Sequence, residues 1–161
     1  MKFSTTILCV AFIINVSWAQ DTHTETNSSL GIEFAHPTNW TLTPKEDGYL
    51  LGSTRLEGFI LVRVQSYKTL KKMKAAMQNG ITQEDGSQLT LLNELQPFGE
   101  NGLAGMYEGM VDEQKVRGFM MCKLDAKKGI GAFIIVVAPE TRFNQSHMDA
   151  LKIIARTLNF I

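Results

Sequence analysis

The 161-residue sequence predicts an α+β fold in which one antiparallel β-sheet carries a helix on each face, an α/β/α sandwich. Three observations lead to this prediction. Alternating apolar and polar residues recur in short segments joined by turns, which is typical of antiparallel strands. The segments Phe59–Tyr67 and Ile130–Ala138 are apolar on both faces, which indicates central strands. Two amphipathic helical segments would then cover the two faces of the sheet.

The N-terminal segment is predicted to be a signal peptide rather than part of this fold. Lys2 precedes the apolar run Ile7–Val16, and Ser17 and Ala19 supply small residues two positions apart, as a cleavage site requires. The run is shorter than the roughly 20 apolar residues that span a bilayer. The alternative is a buried N-terminal helix. We expect residues 1–19 to be removed and the protein to be exported, to the periplasm or the extracellular space, without membrane insertion.

The mature chain is close to neutral and retains one cysteine. Removal of residues 1–19 takes away one base, Lys2, and no acid, so 16 basic and 16 acidic residues become 15 and 16. This balance argues against a nucleic-acid binder, which needs a basic face. Cys9 would leave with the signal peptide, so Cys122 could form no intramolecular disulfide.

The first half of the mature chain is predicted to hold a leader, two short strands, a central strand and a helix. Residues 20–29 are polar and lack periodicity, so we expect a flexible leader, followed by a single domain over residues 30–161. The alternating run 30–35 predicts a strand that Pro37 ends. A second short strand is expected after Gly48, and Phe59–Tyr67 is the first central strand.

The first helix is predicted to begin after Thr69 and to stop at Gly80. Thr69 is a favourable N-cap and Gly80 a favourable stop. Between them, Leu70, Met73 and Met77 form an apolar stripe.

The second half is predicted to be a meander that ends in a helix. Strand patterns recur after Ser87 and then over Leu103–Val111, Val116–Leu124 and Ile130–Ala138, with short turns between the last three. The closing helix is expected to start in a capping box of Ser146 and Asp149. Its buried stripe would consist of Leu151, Ile154, Ala155 and Leu158.

Three features together resemble a known family. They are "GIEFAHPTNWTL" at the start of the domain, the long sheet after the first helix, and the closing helix "SHMDALKIIARTLNFI" with its apolar tail. Over residues 30–161 the chain resembles the PsbP-like superfamily, which includes an extrinsic subunit of photosystem II, a Ran-binding nuclear transport factor and small exported bacterial proteins. The resemblance implies a domain that docks to partners and has no shared set of catalytic residues.

The resemblance also implies a role for Trp40, which lies between Pro37 and Pro44. In members of this family a short strand, a proline and a tryptophan open the domain. We expect the Trp40 ring to fold over one edge of the sheet and to contribute a few kcal/mol of apolar burial. The alternative is an exposed tryptophan that stacks on a ligand.

No recognisable catalytic motif is present. Cys122 alternates with Met120 and Leu124, so a buried, inert thiol is expected, and neither His36 nor His147 lies in a motif that would activate it. An enzyme with an unrecognised site is one alternative.

No cysteine and histidine spacing matches a zinc site. The acidic pairs at 46–47, 84–85 and 112–113 are predicted to be solvated turn residues.

A second alternative is Cu(I) or redox handling through methionines and Cys122. Met73 and Met77 share a helix face, Met106 and Met110 share a strand face, and thioethers and thiolates suit Cu(I). Methionine is also a common filler of apolar cores, which is the interpretation we favour. We therefore expect no cofactor.

The expected function is that of an exported, non-catalytic binding or accessory domain with a protein partner or a small ligand. The candidate surface combines the proline–tryptophan loop around Trp40 with the lysines of the first helix, which could hold an acidic partner or ligand. These lysines are Lys68, Lys71, Lys72 and Lys74. Asn27, Asn39 and Asn144 lie in formal N-glycosylation sequons, which matter only in a eukaryotic secretory pathway.

Overall fold

The computed structural model describes residues 21–82 and 87–161. The predicted signal peptide and the Glu84-Asp85 pair lie outside these residues. In the first half the elements are β1 (Thr22–Asn27), β2 (Ile32–Pro37), β3 (Trp40–Lys45), β4 (Gly48–Ser53), β5 (Phe59–Ser66), α1 (Leu70–Asn79) and β6 (Ile81–Thr82). In the second half they are β7 (Gln88–Leu91), β8 (Gln96–Pro97), β9 (Gly102–Val111), β10 (Gln114–Asp125), β11 (Ile130–Pro139), α2 (Gln145–Thr157) and β12 (Asn159–Phe160).

The strands form two antiparallel sheets. The large sheet has nine strands in the order β3-β4-β5-β11-β10-β9-β7-β6, with β8 paired to β9. The small sheet has the order β1-β2-β12. The predicted meander is confirmed, because β9, β10 and β11 pair in sequence, and β5 and β11 pair in the middle of the sheet.

The predicted α/β/α sandwich is wrong. Strands make up 54% of the described residues, and the large sheet curls into a half-barrel. Among the described residues the two helices have 10 and 13 residues. A 10-residue helix is about 15 Å long, whereas the eight strands that lie side by side, spaced about 4.8 Å apart, extend over roughly 34 Å. One helix per face is therefore too small to form a layer over this sheet.

Glycines in β9 contribute to the tight packing of the curled sheet. A side chain at Gly109 would collide with the Gln88 carbonyl of β7. A Cβ atom at Gly105 would lie 2.7 Å from the side chains of Leu91 and Leu95. Glycine in a strand interior is typical of such bends and close approaches.

The face of the large sheet that carries α2 is closed. Residues 134 and 136 of β11 point to this face, and residues 135 and 137 to the other, as the strand pleat requires. The core of the α2 face also includes the small sheet, through Ile32 and Phe34, and the predicted stripe of α2. That stripe, Leu151, Ile154, Ala155 and Leu158, is fully buried, as predicted.

The leader predicted over residues 20–29 is instead largely the strand β1. Thr22–Asn27 pairs along its whole length with β2. Its inward side chains are polar, and two of them contact a buried tyrosine: Asn27 Nδ2 donates to the Tyr49 hydroxyl at 2.8 Å, and that hydroxyl donates to Glu25 at 3.3 Å. The strand was not recognised in the sequence because it is held by these hydrogen bonds rather than by apolar side chains.

The predicted proline–tryptophan loop is a tight turn followed by β3. Trp40 begins that strand and is 1% exposed, so its predicted role in the core is confirmed. Pro44 lies within β3, which is an edge strand of the large sheet. Proline is tolerated in an edge strand because its missing N–H can face the side on which no neighbouring strand needs a hydrogen bond.

The two helix starts differ in how well they were predicted. Thr69 caps α1 and accepts from the Lys72 N–H, and Gly80 ends the helix, as predicted. The capping box predicted at Ser146 and Asp149 is wrong. Asn144 caps α2, and its partner in the box is His147, whose ring nitrogen accepts from the Asn144 N–H at 3.2 Å.

Candidate binding cleft

The face of the large sheet that carries α1 is only partly covered. Met73 and Met77 of α1 are fully buried against this face. Met73 packs on Gly131 of β11, where a Cβ atom would lie 2.7 Å from the methionine side chain. The Tyr107 hydroxyl donates to the Met77 carbonyl at 2.8 Å and fixes the end of the helix. Beside α1 the sheet is open and forms a cleft of about 770 Å³.

The floor of the cleft is apolar. It consists of alternate residues of two central strands, which the register places side by side: Phe59 lies opposite Val137, and Leu61 lies opposite Ile135. Phe59 and Leu61 are half-buried, so they retain surface that a ligand can cover. Ala76 of α1 forms part of the opposite wall.

One end of the cleft is polar. Arg63 follows Phe59 and Leu61 on the same face of β5, and its Nη2 lies 2.6 Å from the Asp47 carboxylate. Lys45 stands in the same row of the sheet, with Gly48 of β4 between it and Arg63, so that no side chain separates the two cations. Gln65 accepts from the Tyr67 hydroxyl at 3.4 Å through Oε1, which leaves its amide nitrogen as a donor.

The predicted site residues do not form one surface. Trp40 is buried on the α2 face, where its ring makes an edge contact with His147 at a centroid distance of 6.4 Å. The lysines belong to the segment around α1, which packs on the other face. All four are exposed and none of them lines the cleft: Lys68, Lys71, Lys72 and Lys74.

The cleft itself was not found from the sequence. One signal was available, because the alternate residues of β5 change from Phe59 and Leu61 to Arg63 and Gln65 along one face. A strand face that changes from apolar to charged halfway is only partly covered by other elements. Lys45 reaches the charged end of the cleft because β3 pairs with β4, and no local sequence pattern reveals that pairing.

Cys122 is buried, as predicted. It has no exposed surface, and burial raises the pKa of its thiol to about 11. His36 and His147 lie on the α2 face, and His23 is exposed on β1. His147 Nε2 donates to the Glu57 carbonyl at 2.8 Å. No histidine is therefore placed to activate Cys122 as a nucleophile.

The methionines are mainly core residues. Met73, Met77 and Met120 are buried as expected, but Met110 is 45% exposed and lies outside the apolar stripe. Within residues 21–82 and 87–161, no cluster of three or more histidine, cysteine or acidic side chains could hold a metal ion.

Of the predicted turn acids, 112 and 113 lie in an exposed turn with left-handed backbone, as expected. Asp47 differs, because it pairs with Arg63 instead of being simply solvated.

Two of the sequon asparagines have structural roles: Asn27 contacts Tyr49 and Asn144 caps α2. In the part of the chain that is described, neither helix is long and apolar enough to cross a membrane.

Comparisons with known proteins identify the fold. No protein-family model matches the sequence, and no curated protein matches it. Among solved structures, cyanobacterial PsbP (CyanoP) from Synechocystis is similar with a TM-score of 0.59 at 12% identity, over 96% of this chain and 99% of that one. The Ran-binding protein Mog1p from Saccharomyces cerevisiae is similar with a TM-score of 0.58 at 10% identity, over 88% and 96%. A protein from Bacteroides thetaiotaomicron gives 0.53 at 8% identity, over 81% and 45%. The chain therefore has the Mog1/PsbP-like fold, as the resemblance of its sequence implied.

Proposed function

We propose that this chain is an exported, non-catalytic binding or accessory protein that holds its ligand or partner in the cleft beside α1. The observation that carries this proposal is the cleft: a formed cavity of about 770 Å³ with an apolar floor and a charged end. Binding sites for small molecules occupy clefts of roughly 300–1,000 Å³ with this division of apolar and polar lining.

Two further observations support a binding role rather than catalysis. Cys122 is a protonated, buried thiol without a neighbouring base. One similar fold belongs to a protein described as Ran-binding. Export rests on the signal peptide predicted over residues 1–19.

The exposed lysines at 68, 71, 72 and 74 are proposed to form a second contact, with an acidic surface of a protein partner. Exposed charges of this kind steer encounter more than they add affinity. Their contribution is therefore expected in the association rate, and it should weaken with salt.

The test uses two tryptophan substitutions in neighbouring positions of α1. Ala76 lines the cleft, whereas Ala75 is exposed to solvent. Ala76→Trp should fill the cleft, and Ala75→Trp is its matched control in helix propensity and residue size. The wild-type protein and both variants are purified from the exported fraction of the native host, after cross-linking, and examined by mass spectrometry for a bound protein or small molecule.

The proposal is supported if a stoichiometric bound protein or small molecule is recovered with the wild type and with Ala75→Trp but not with Ala76→Trp. The proposal fails if no bound protein or small molecule is recovered, or if Ala76→Trp still binds it. The non-catalytic part fails separately if the purified protein turns over a substrate in hydrolase or redox screens and Cys122→Ser abolishes that turnover.

A further inference from the structure

The chemistry of the cleft also indicates what it holds. We propose that its occupant is a small amphiphile with an apolar body and one carboxylate head group, bound along β5 with the carboxylate at Lys45 and Arg63. This inference rests on the proposed function, because it specifies the ligand class of the same cleft.

The size and floor of the cleft favour a small molecule with an apolar body. The cavity of about 770 Å³ lies within the range of small-ligand sites. A stable protein–protein interface, in contrast, buries roughly 800 Å² on each partner and is rarely confined to one cleft. Phe59 and Leu61 retain exposed area on the floor of the cleft, and covering this area would stabilise a bound apolar group.

The charge of the lining favours one anionic group. The described residues of the lining include two cations, Lys45 and Arg63, and one anion, Asp47. Asp47 compensates Arg63, with which it forms a 2.6 Å ion pair. Lys45 makes no ion pair with any residue in the described ranges 21–82 and 87–161. One cation therefore remains available, and the amide of Gln65 adds a neutral donor nearby.

The order of residues along β5 sets the orientation of the ligand. Phe59 and Arg63 lie four residues apart on the same face, which corresponds to about 13 Å in an extended strand. The apolar body would lie over Phe59, Leu61 and Val137, and the carboxylate would lie between Arg63 and Lys45. Asp47 already occupies Nε and Nη2 of Arg63. The Nη1 group therefore remains as the planar guanidinium donor that orients the head group, while Lys45 balances its charge.

The experiment measures binding of cis-parinaric acid, a fluorescent fatty acid, to the mature protein and its displacement by decanoate or decan-1-ol. We expect binding to be lost in Ala76→Trp and kept in Ala75→Trp. Because an exposed ion pair contributes less than about 1 kcal/mol, we expect Lys45→Ala to weaken binding by about two- to fivefold. Lys72→Ala, which removes an exposed cation outside the cleft, should leave binding unchanged. Decanoate should displace the probe at a concentration about two- to fivefold lower than decan-1-ol.

Two results would overturn this inference. Equal displacement by decanoate and decan-1-ol, with Lys45→Ala unchanged, would reject the carboxylate head group. Absence of parinarate binding, or binding that Ala76→Trp leaves intact, would reject the amphiphile in the cleft. If the protein or small molecule recovered from the host fails to bind Ala76→Trp in either of these cases, the proposed binding role stands and only the ligand class is wrong.

Discussion

The two faces of the large sheet carry one helix each, yet one face is closed and the other is open. On the α2 face, a 13-residue helix and the small sheet together cover strands from β3 to β9. On the α1 face, a 10-residue helix covers the part next to β7, β9 and β10, and residues of β5 and β11 line an open cleft beside it. The extra sheet, not the helix, makes the difference.

This difference separates stability from binding. Large side chains on the α2 face fill a sealed core, so their loss should destabilise the fold without a direct effect on a ligand. The half-buried side chains of the floor, Phe59 and Leu61, already contact water, so their loss should reduce binding with a small effect on stability. The predictions below test this division.

The largest effect is expected for Trp40→Ala. Trp40 is 1% exposed, and removal of a buried tryptophan destabilises proteins by about 3–5 kcal/mol. Phe59→Ala, on the floor of the cleft, should lower the free energy of unfolding by only about 1 kcal/mol, because the ring is half-buried. Urea denaturation measures both. Equal losses in the two variants would contradict the distinction between a closed and an open face.

The titration of Cys122 tests whether water is excluded from the part of the sheet that α1 covers. Burial raises the pKa of its thiol from the ordinary value of 9.0, expected in the unfolded chain, to about 11. As the pH rises between these values, the unfolded chain loses a proton that the folded chain keeps, so the free energy of unfolding falls. The loss by pH 11 should be on the order of 2–3 kcal/mol.

The control for this prediction is Cys122→Ala. The pKa of Tyr107 is raised by burial and, to a smaller extent, by the charge of Cys122, so this tyrosine is coupled to the thiol. Groups that do not interact with Cys122 contribute equally to both proteins. The difference between the two pH profiles therefore reports the thiol together with its coupling to Tyr107. A native protein that reacts with a thiol reagent as fast as the unfolded chain would show that this part of the face is open.

A smaller effect is expected for Asn144→Ala, at the start of α2. The Asn144 side chain accepts from the Ser146 N–H at 2.9 Å and forms the capping box with His147. Loss of an N-cap of this type costs about 1 kcal/mol. Thermal unfolding measures it, and Ser146→Ala, which removes a hydroxyl from the first turn without removing the cap, serves as the control. A larger loss in the control would reassign the cap to Ser146.

The smallest global effect is expected for Thr69→Ala, at the start of α1. Thr69 accepts from the Lys72 N–H at 3.3 Å, so its loss should cost about 0.5–1 kcal/mol. Since α1 is anchored mainly by Met73 and Met77, the change should appear as faster hydrogen exchange in its first turn. Unchanged exchange at residues 72–73 would show that packing, and not the cap, holds this end of the helix.

The sequence predicted those elements whose pattern is local. The central strands, the start of α1 at Thr69 and the burial of Trp40 follow from periodicity, capping chemistry and the resemblance to a known fold. The strand β1 was missed because its inward residues, such as Glu25 and Asn27, are polar and are satisfied by Tyr49, 22 or more residues away.

The predicted candidate surface combined residues from opposite faces of the sheet for a related reason. Trp40 and the lysines near α1 are about 30 residues apart in sequence, and nothing local shows on which face of the sheet each will lie. The cleft depends on Lys45, Arg63 and Val137 meeting across four strands, which is a property of strand order alone. Local patterns therefore predicted the elements of this fold but not its open face.

The pairing of β2 with β12 has a consequence for how the chain folds. Ile32 lies opposite Phe160, so the small sheet joins the beginning of the domain to its last residues. The central pair β5–β11 likewise joins residues more than 60 positions apart. Contacts of such high sequence separation slow folding, because a long loop must close before they form. The α2 face thus cannot close until residues 159–160 are available to pair with β2, so a chain that lacks them would keep this face open.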